Sequence, residues 1–273
     1  MYKKFFSVLL ILIALVFTLS LHPVLAKNDK KPDVSFVPPE AEGTYDVPGH
    51  PDMKVRVFVY RAKGTGGRKP APSPTPVSAP DCTLSDPDSL AQDGITGWHL
   101  PTSWKYNLNS GSVPSSVGSG NLSTIATSSF AAWTNAISGR VSMTSGASTS
   151  ATRSRFDGLN IIAWGRTSRS ALAVTYTWYY TNTGEVADVD TIMNVSFPWS
   201  WGGGSATCAY PNSYDAQNIL THELGHWMGL DDKYTEEFIN NTMYGYGSPR
   251  EAKKDTLTNG DIAGLLTIYQ TSL

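Results

Sequence analysis

The stretch from His222 to Asp232 restricts the fold of this chain more than any other part of it. The stretch reads HELGHWMGLDD. Residues four apart lie on one face of a helix, so His222 and His226 would present two imidazoles to one point, as a zinc ion requires. Glu223 has no metal-ligand duty in this arrangement and is placed for general acid–base catalysis.

The residues after the second histidine predict how a third ligand reaches the same point. Gly229 tolerates a positive φ and would end the helix, which turns the chain back toward the metal. Asp232 is then placed as the third ligand, with Asp231 as the neighbouring alternative. No histidine follows His226 in the sequence, so a third imidazole after the motif is excluded.

The order of predicted elements indicates an α+β domain with a mixed twisted sheet. Apolar spacing predicts a long amphipathic helix over 121–138, and Asp215 is a candidate N-cap for the helix of the two histidines. The pair Thr258 and Asp261 predicts a capping box at the start of a closing helix. Short β-rich runs predict strands over 104–109, 159–164, 171–178 and 186–193.

The stretch from His222 to Asp232 resembles the metzincin signature H-E-x-x-H-x-x-G-x-x-H, with aspartate in the last position as in snapalysin-like enzymes. Met243-Tyr244 resembles the Met-turn of matrixins, and residues 157–165 and 257–269 resemble matrixin strands and the closing helix. The resemblance implies a metzincin fold with an active-site helix, a backing helix and a C-terminal helix. It also implies a zinc endopeptidase in which Met243 packs beneath the metal.

We therefore expect one catalytic zinc, held by His222, His226 and Asp232. The second, structural zinc of matrixins needs histidines in the strand region, and none lies between His99 and His222. Calcium is possible because four acidic residues cluster in the sequence, although solvated turns are the more ordinary explanation. These four are Asp157, Glu185, Asp188 and Asp190.

The N-terminal third has a different character from the rest. Residues 1–26 are typical of a secretory signal, with two lysines before a long apolar run, so we expect a secreted protein; an uncleaved membrane anchor is the alternative. Residues 27–81 predict a pro-segment or linker with one possible strand over 53–60 and a Pro- and Gly-rich stretch after it. The catalytic domain is expected over 82–273.

Cys82 and Cys208 are the two cysteines of the chain. An even count in an exported chain favours one disulfide between them. The matrixin resemblance offers another role, because matrixins silence their zinc with a pro-segment cysteine. The residues after Cys82 lack the Gly-x-Pro-Asp that usually follows that cysteine, so the disulfide is favoured.

Substrates of such an enzyme would be proteins or peptides that pair with an edge strand at Ala171, Leu172 and Ala173. The net charge of −2 gives no basic excess, so nucleic acid is not an expected partner, and a monomer is expected. Two other classes stay open. One is a gluzincin-type peptidase with a later glutamate as ligand, for which Glu236, Glu237 and Glu251 are candidates; the other is a non-catalytic exported zinc protein.

Overall fold

A mixed β-sheet forms one layer of the fold, and the helices pack against one of its faces. The computed structural model describes residues 36–64 and 79–270, which belong to one compact unit. The predicted signal segment 1–26 and most of the Pro- and Gly-rich stretch lie outside the described residues.

The strands predicted over 104–109, 159–164, 171–178 and 186–193 and the helix predicted over 121–138 are present, with bounds shifted by at most two residues. The strands are β1 (Gly43–Val47), β2 (His50–Ala62), β3 (Ser103–Leu108), β4 (Ser142–Ser145), β5 (Ile161–Gly165), β6 (Ala171–Tyr180), β7 (Val186–Asn194), β8 (Trp199–Ser200), β9 (Tyr214–Asp215) and β10 (Tyr246–Gly247). The α-helices are α1 (Leu122–Ala136), α2 (Ala216–Trp227) and α3 (Asn259–Tyr269).

The main sheet runs in the order β1-β2-β6-β7-β5-β3-β4, and β10 pairs with β2 outside this path. Strands β1, β2, β6 and β7 pair antiparallel, whereas β7, β5, β3 and β4 pair parallel. Sequentially distant strands are therefore neighbours, and the predicted α+β class with a mixed sheet is confirmed.

Helix α1 supports α2 from behind. Its apolar stripe, from Leu122 to Trp133, is buried at the spacing of a single helix face. The indole Nε1 of Trp133 donates to the Thr221 carbonyl of α2 at 2.8 Å. Every residue of α2 is buried. The predicted capping box of Thr258 and Asp261 begins α3.

The segment predicted as a pro-segment or linker with one possible strand contains two strands of the main sheet. The alternation over 53–60 does form a strand, but β2 is longer, at 13 residues. A two-residue turn, Pro48-Gly49, joins it to β1; proline keeps φ negative at the first position, and Gly49 adopts the positive φ that a type II turn needs at the second. Residues 43–62 therefore share a sheet with strands from 82–273.

The predicted edge strand at Ala171–Ala173 is not at an edge. It begins β6, which lies between β2 and β7, and all three side chains are buried. The sequence interpretation was wrong because it did not provide β6 with a partner from the N-terminal segment. Pairing between segments more than 100 residues apart leaves no local signal in either strand.

Cys82 and Cys208 form the predicted disulfide. Beside it, the backbones of Asp81 and Ala209 exchange two hydrogen bonds of 2.9 and 3.0 Å. Cys82 is therefore not a free thiol that could bind a metal. Within 36–64 and 79–270, no helix is both long and apolar enough to cross a bilayer.

Candidate metal centre

Helix α2 is held at both ends in a way that places its side chains. At its start, Asp215 Oδ1 accepts hydrogen bonds from the amides of Gln217 and Asn218, at 2.9 and 3.1 Å, so the predicted N-cap is confirmed. At its end, Gly229 has a φ of +100°, and a Cβ there would lie 2.4 Å from the Trp98 carbonyl oxygen. Only glycine permits this turn, which leads the chain back to Asp232.

The structure brings His222, His226 and Asp232 together. Within the described residues they are the one group of three His, Cys, Asp or Glu side chains that could hold a metal ion, with ligand atoms within 4.8 Å of one another. Asp232 Oδ1 lies 3.2 Å from His222 Nε2 and 3.7 Å from His226 Nε2. All three side chains are buried.

Backbone carbonyls fix the orientation of both imidazoles. His222 Nδ1 lies 2.7 Å from the Thr242 carbonyl oxygen, and His226 Nδ1 lies 2.9 Å from that of Leu230. A carbonyl can only accept, so each Nδ1 carries the proton and each Nε2 is left with a lone pair. Such outer contacts are how proteins set the tautomer of metal-binding histidines.

The electrostatics keep these imidazoles neutral. Burial lowers the pKa of His222 to about 3, assisted by the charge of Lys254. Burial likewise lowers the pKa of His226 to about 3. Burial raises the pKa of the Asp232 carboxyl. Neutral histidine is the form that binds metals, so both rings are ready as ligands well below neutral pH.

Four buried polar atoms of the site have no hydrogen-bond partner among the residues that the structure describes. They are His222 Nε2, His226 Nε2, Asp232 Oδ1 and Glu223 Oε1. Lone pairs that face one another at 3.2 to 3.7 Å repel, and an unpartnered buried polar atom typically destabilises by about 1 to 3 kcal/mol. A bound cation would satisfy the three ligand atoms at once, so the donor set fits a metal ion.

The other oxygen of Glu223 is held by a chain of hydrogen bonds that the sequence did not reveal. Trp227 Nε1 can only donate, and it donates to Thr191 Oγ1 at 2.9 Å. Thr191 and Thr175 hydroxyls are 2.6 Å apart, and Thr175 donates to Glu223 Oε2 at 2.5 Å. The donors thus point toward the carboxylate. Burial nevertheless raises the pKa of Glu223 to about 8.

Met243 packs directly beneath α2. A Cβ at Gly225 would lie 2.2 Å from Met243 Sδ, so only glycine allows the helix to approach this closely. The Met243 turn is held by Asp261, whose two carboxylate oxygens accept from the amides of Thr242 and Met243 at 3.1 and 3.2 Å. Asp261, a member of the capping box of α3, therefore also positions the Thr242 carbonyl that orients His222.

Two aromatic side chains of β2 cover the ligands, and sequence reasoning missed both. Phe58 stacks on His226 with ring centroids 3.7 Å apart, and Tyr60 stacks on His222 at 3.8 Å. The Tyr60 hydroxyl accepts from the buried ammonium of Lys254. Burial lowers the pKa of this lysine to about 8.

The acidic residues considered for calcium are not brought together as a metal site in the described part of the chain. Asp190 accepts from the amides of Ile161 and Arg155, both at 2.9 Å. Asp188 accepts from those of Asp157 and Gly158, at 2.9 and 2.6 Å. Both carboxylates therefore fasten the 154–161 loop to β7.

The other residues considered as third metal ligand lie outside the group of His222, His226 and Asp232. Asp231 is about half exposed and faces Arg56. The glutamates considered for a gluzincin arrangement do not join the two histidines. Comparison of the chain with models of protein families finds no match, and neither does comparison with curated proteins.

Proposed function

We propose that the chain is a zinc-dependent endopeptidase of the metzincin type, matrixin-like, with a two-histidine, one-aspartate metal centre. The observation that carries the proposal is the joint burial of His222, His226 and Asp232 beside an intact Glu223, with one unpartnered atom on each. A structural metal site has no need of that fourth side chain.

The spacing of the ligand atoms favours zinc. Zinc binds imidazole nitrogen and carboxylate oxygen at about 2.0 to 2.2 Å in tetrahedral geometry, which separates neighbouring ligand atoms by about 3.3 Å. The oxygen-to-nitrogen distances of 3.2 and 3.7 Å bracket that value. A set of two imidazoles and one carboxylate also suits zinc better than calcium, which prefers oxygen ligands.

Zinc at this centre would supply Lewis-acid chemistry, polarising a peptide carbonyl and acidifying a water. Glu223 would act as the general base and then as the general acid. Its Oε2 is fixed by Thr175, while its Oε1 has no hydrogen-bond partner among the described residues and, in the carboxylate form, can take a proton from the attacking water. The same oxygen then delivers that proton to the leaving amine nitrogen.

The orientation of the site residues supports this division of roles. Thr242 and Leu230 carbonyls keep each Nε2 free for the ion, and Met243 fills the space under the helix. The disulfide is compatible with the proposed extracellular location, since disulfides persist in oxidising compartments.

The test compares the protein with its Glu223→Gln variant, both loaded with one equivalent of zinc. Because Phe58 and Tyr60 cover the ligands, both proteins are assayed as they stand and in a Phe58→Ala/Tyr60→Ala background. We expect Glu223→Gln to keep the zinc and to hydrolyse an unfolded protein about 100- to 10,000-fold more slowly. Glu237→Gln, on an exposed side chain, is the control. Equal hydrolysis by the two proteins in the Phe58→Ala/Tyr60→Ala background would contradict the proposal.

A further inference from the structure

Strand β2 places two of its side chains against the proposed metal ligands. It pairs antiparallel with β6 from Met53 to Arg61. Its alternation points Phe58 and Tyr60 toward α2, where they join the core cluster that contains that helix, while Val55, Val57 and Val59 join a second cluster on the other face.

Strand β2 covers the imidazoles of His222 and His226. The two rings of β2 lie face to face on the two ligand imidazoles, with interplanar angles of 5° and 19°. His222, Glu223 and His226 are each 0% exposed. A peptide bond that approached Glu223 from this side would meet the rings first.

Polar contacts join the β1–β2 hairpin, and Glu42 just before it, to residues at the rim of the site. Lys254 donates to Tyr60 Oη and also to the carbonyls of Tyr244 and Tyr246, both at 2.9 Å. On the other side, Tyr234 Oη lies 3.1 Å from Asp232 Oδ2 and 3.2 Å from Glu42 Oε1. The segment is thus tied to groups that surround the ligands rather than to the sheet alone.

We infer that the β1–β2 hairpin is a built-in occupant of a peptide-binding groove, formed by β6 and the faces of the two ligand imidazoles. While β2 is paired, the main-chain groups of β6 that would bind an extended polypeptide are already used. Such a polypeptide and β2 compete for one place, so the centre opens only when β2 leaves. This inference rests on the proposed function for the identity of the excluded molecule, a peptide.

The two faces of β2 provide a matched pair of variants for the test. Phe58→Ala/Tyr60→Ala removes the rings from the ligands, whereas Val57→Ala/Val59→Ala trims the opposite, equally buried face. Each full-length protein is loaded with zinc, and two rates are measured: extraction of zinc by excess dipicolinate, and hydrolysis of an unfolded protein. Extraction reports access to the metal without depending on catalysis.

We expect extraction and hydrolysis to be at least tenfold faster in Phe58→Ala/Tyr60→Ala than in the unmodified protein, and little changed in Val57→Ala/Val59→Ala. Equal extraction rates in all three proteins would overturn the inference. Faster extraction without any hydrolysis would support the covering role of β2 and count against the proposed function, so the two failures are distinguishable.

A reversible lock tests the inference without trimming the core. Lys54 and Tyr179 are directly paired across β2 and β6, close enough for a disulfide after Lys54→Cys/Tyr179→Cys. In the oxidised form we expect extraction to fall below that of the unmodified protein and to recover on reduction, with reductant on the unmodified protein as control. Unchanged extraction in the locked form would show that β2 does not have to leave.

Discussion

The Tyr60 ring lies face to face with the imidazole of His222, with centroids 3.8 Å apart, although 162 residues separate them in sequence. The same tyrosine accepts a hydrogen bond from Lys254, whose charge helps keep His222 neutral. One residue of the N-terminal hairpin therefore contacts both a proposed zinc ligand and a group that tunes it. The candidate metal centre and the β1–β2 hairpin that covers it are packed together as one unit.

Replacement of Asp232 should abolish tight metal binding. We expect Asp232→Ala to weaken zinc affinity by more than about 100-fold, since loss of outer-shell partners alone weakens it by 10- to 100-fold. Asp231→Ala, beside it and half exposed, is the control and should bind zinc nearly as the unmodified protein does. Competition with a coloured chelator measures both affinities; equal losses in the two variants would remove Asp232 from the ligand set.

Thr175 should act on hydrolysis through its hydrogen bond to Glu223. In the Phe58→Ala/Tyr60→Ala background, we expect Thr175→Val to lower kcat by about tenfold with little change in KM, because a hydrogen bond to a charged group contributes about 1.5 kcal/mol or more. Thr175→Ser keeps the donor and should restore kcat. Thr177→Val is the control, because Thr177 lies two residues along the same face and its hydroxyl has no hydrogen-bond partner within 36–64 and 79–270. A similar decrease with Thr177→Val would indicate a packing effect.

Asp93 should make the protein less stable as the pH rises. Burial, and then the neighbouring Asp261, raise the pKa of Asp93 to about 10. Between about pH 4 and 10 the folded chain keeps a proton that the unfolded chain has released, so its stability falls with increasing pH, by up to about 1.4 kcal/mol per unit.

Asp93→Asn places a neutral group of the same shape at this position, and Asn can still donate toward Asp261. The free energies of unfolding of the two proteins, measured in urea, should be similar at pH 5, and the variant should be the more stable at pH 9. A stability difference that does not change between these two pH values would contradict the assignment.

Removal of the disulfide should act mainly through the unfolded chain. Cys82 and Cys208 are 126 residues apart, and closing a loop of that length contributes about 4 to 5 kcal/mol in the chain-entropy model. We expect Cys82→Ala/Cys208→Ala to lower the free energy of unfolding by several kcal/mol in urea titrations. A change below about 1 kcal/mol would show that the disulfide does not constrain the unfolded chain.

The parts of the site that the sequence predicted are those governed by local rules. Helical spacing places His222, Glu223 and His226 on one helix, and Gly229 lets the chain return with Asp232. Asp215 caps that helix because its side chain reaches amides two and three residues away. Each of these relationships spans at most a few turns of chain.

The parts that the sequence did not predict depend on pairing between distant segments. The alternation in β2 predicted a strand but not its partner, so the stacking of Phe58 and Tyr60 on the ligands was missed and β6 was taken as an edge. The hydrogen bond from Thr175 to Glu223 also depends on pairing between distant segments. The role of Thr175 needs the sheet register that sets it against Glu223, and a buried threonine in a strand gives no other sign of it.

The proposed catalytic role of zinc at this centre can be measured by titrating zinc into metal-free Phe58→Ala/Tyr60→Ala protein while following hydrolysis of an unfolded protein. We expect a rate that rises linearly to one zinc per chain and then stays constant, and no measurable rise when the same protein also carries Glu223→Gln. A rate that is independent of zinc, or that rises equally in the Glu223→Gln protein, would contradict it.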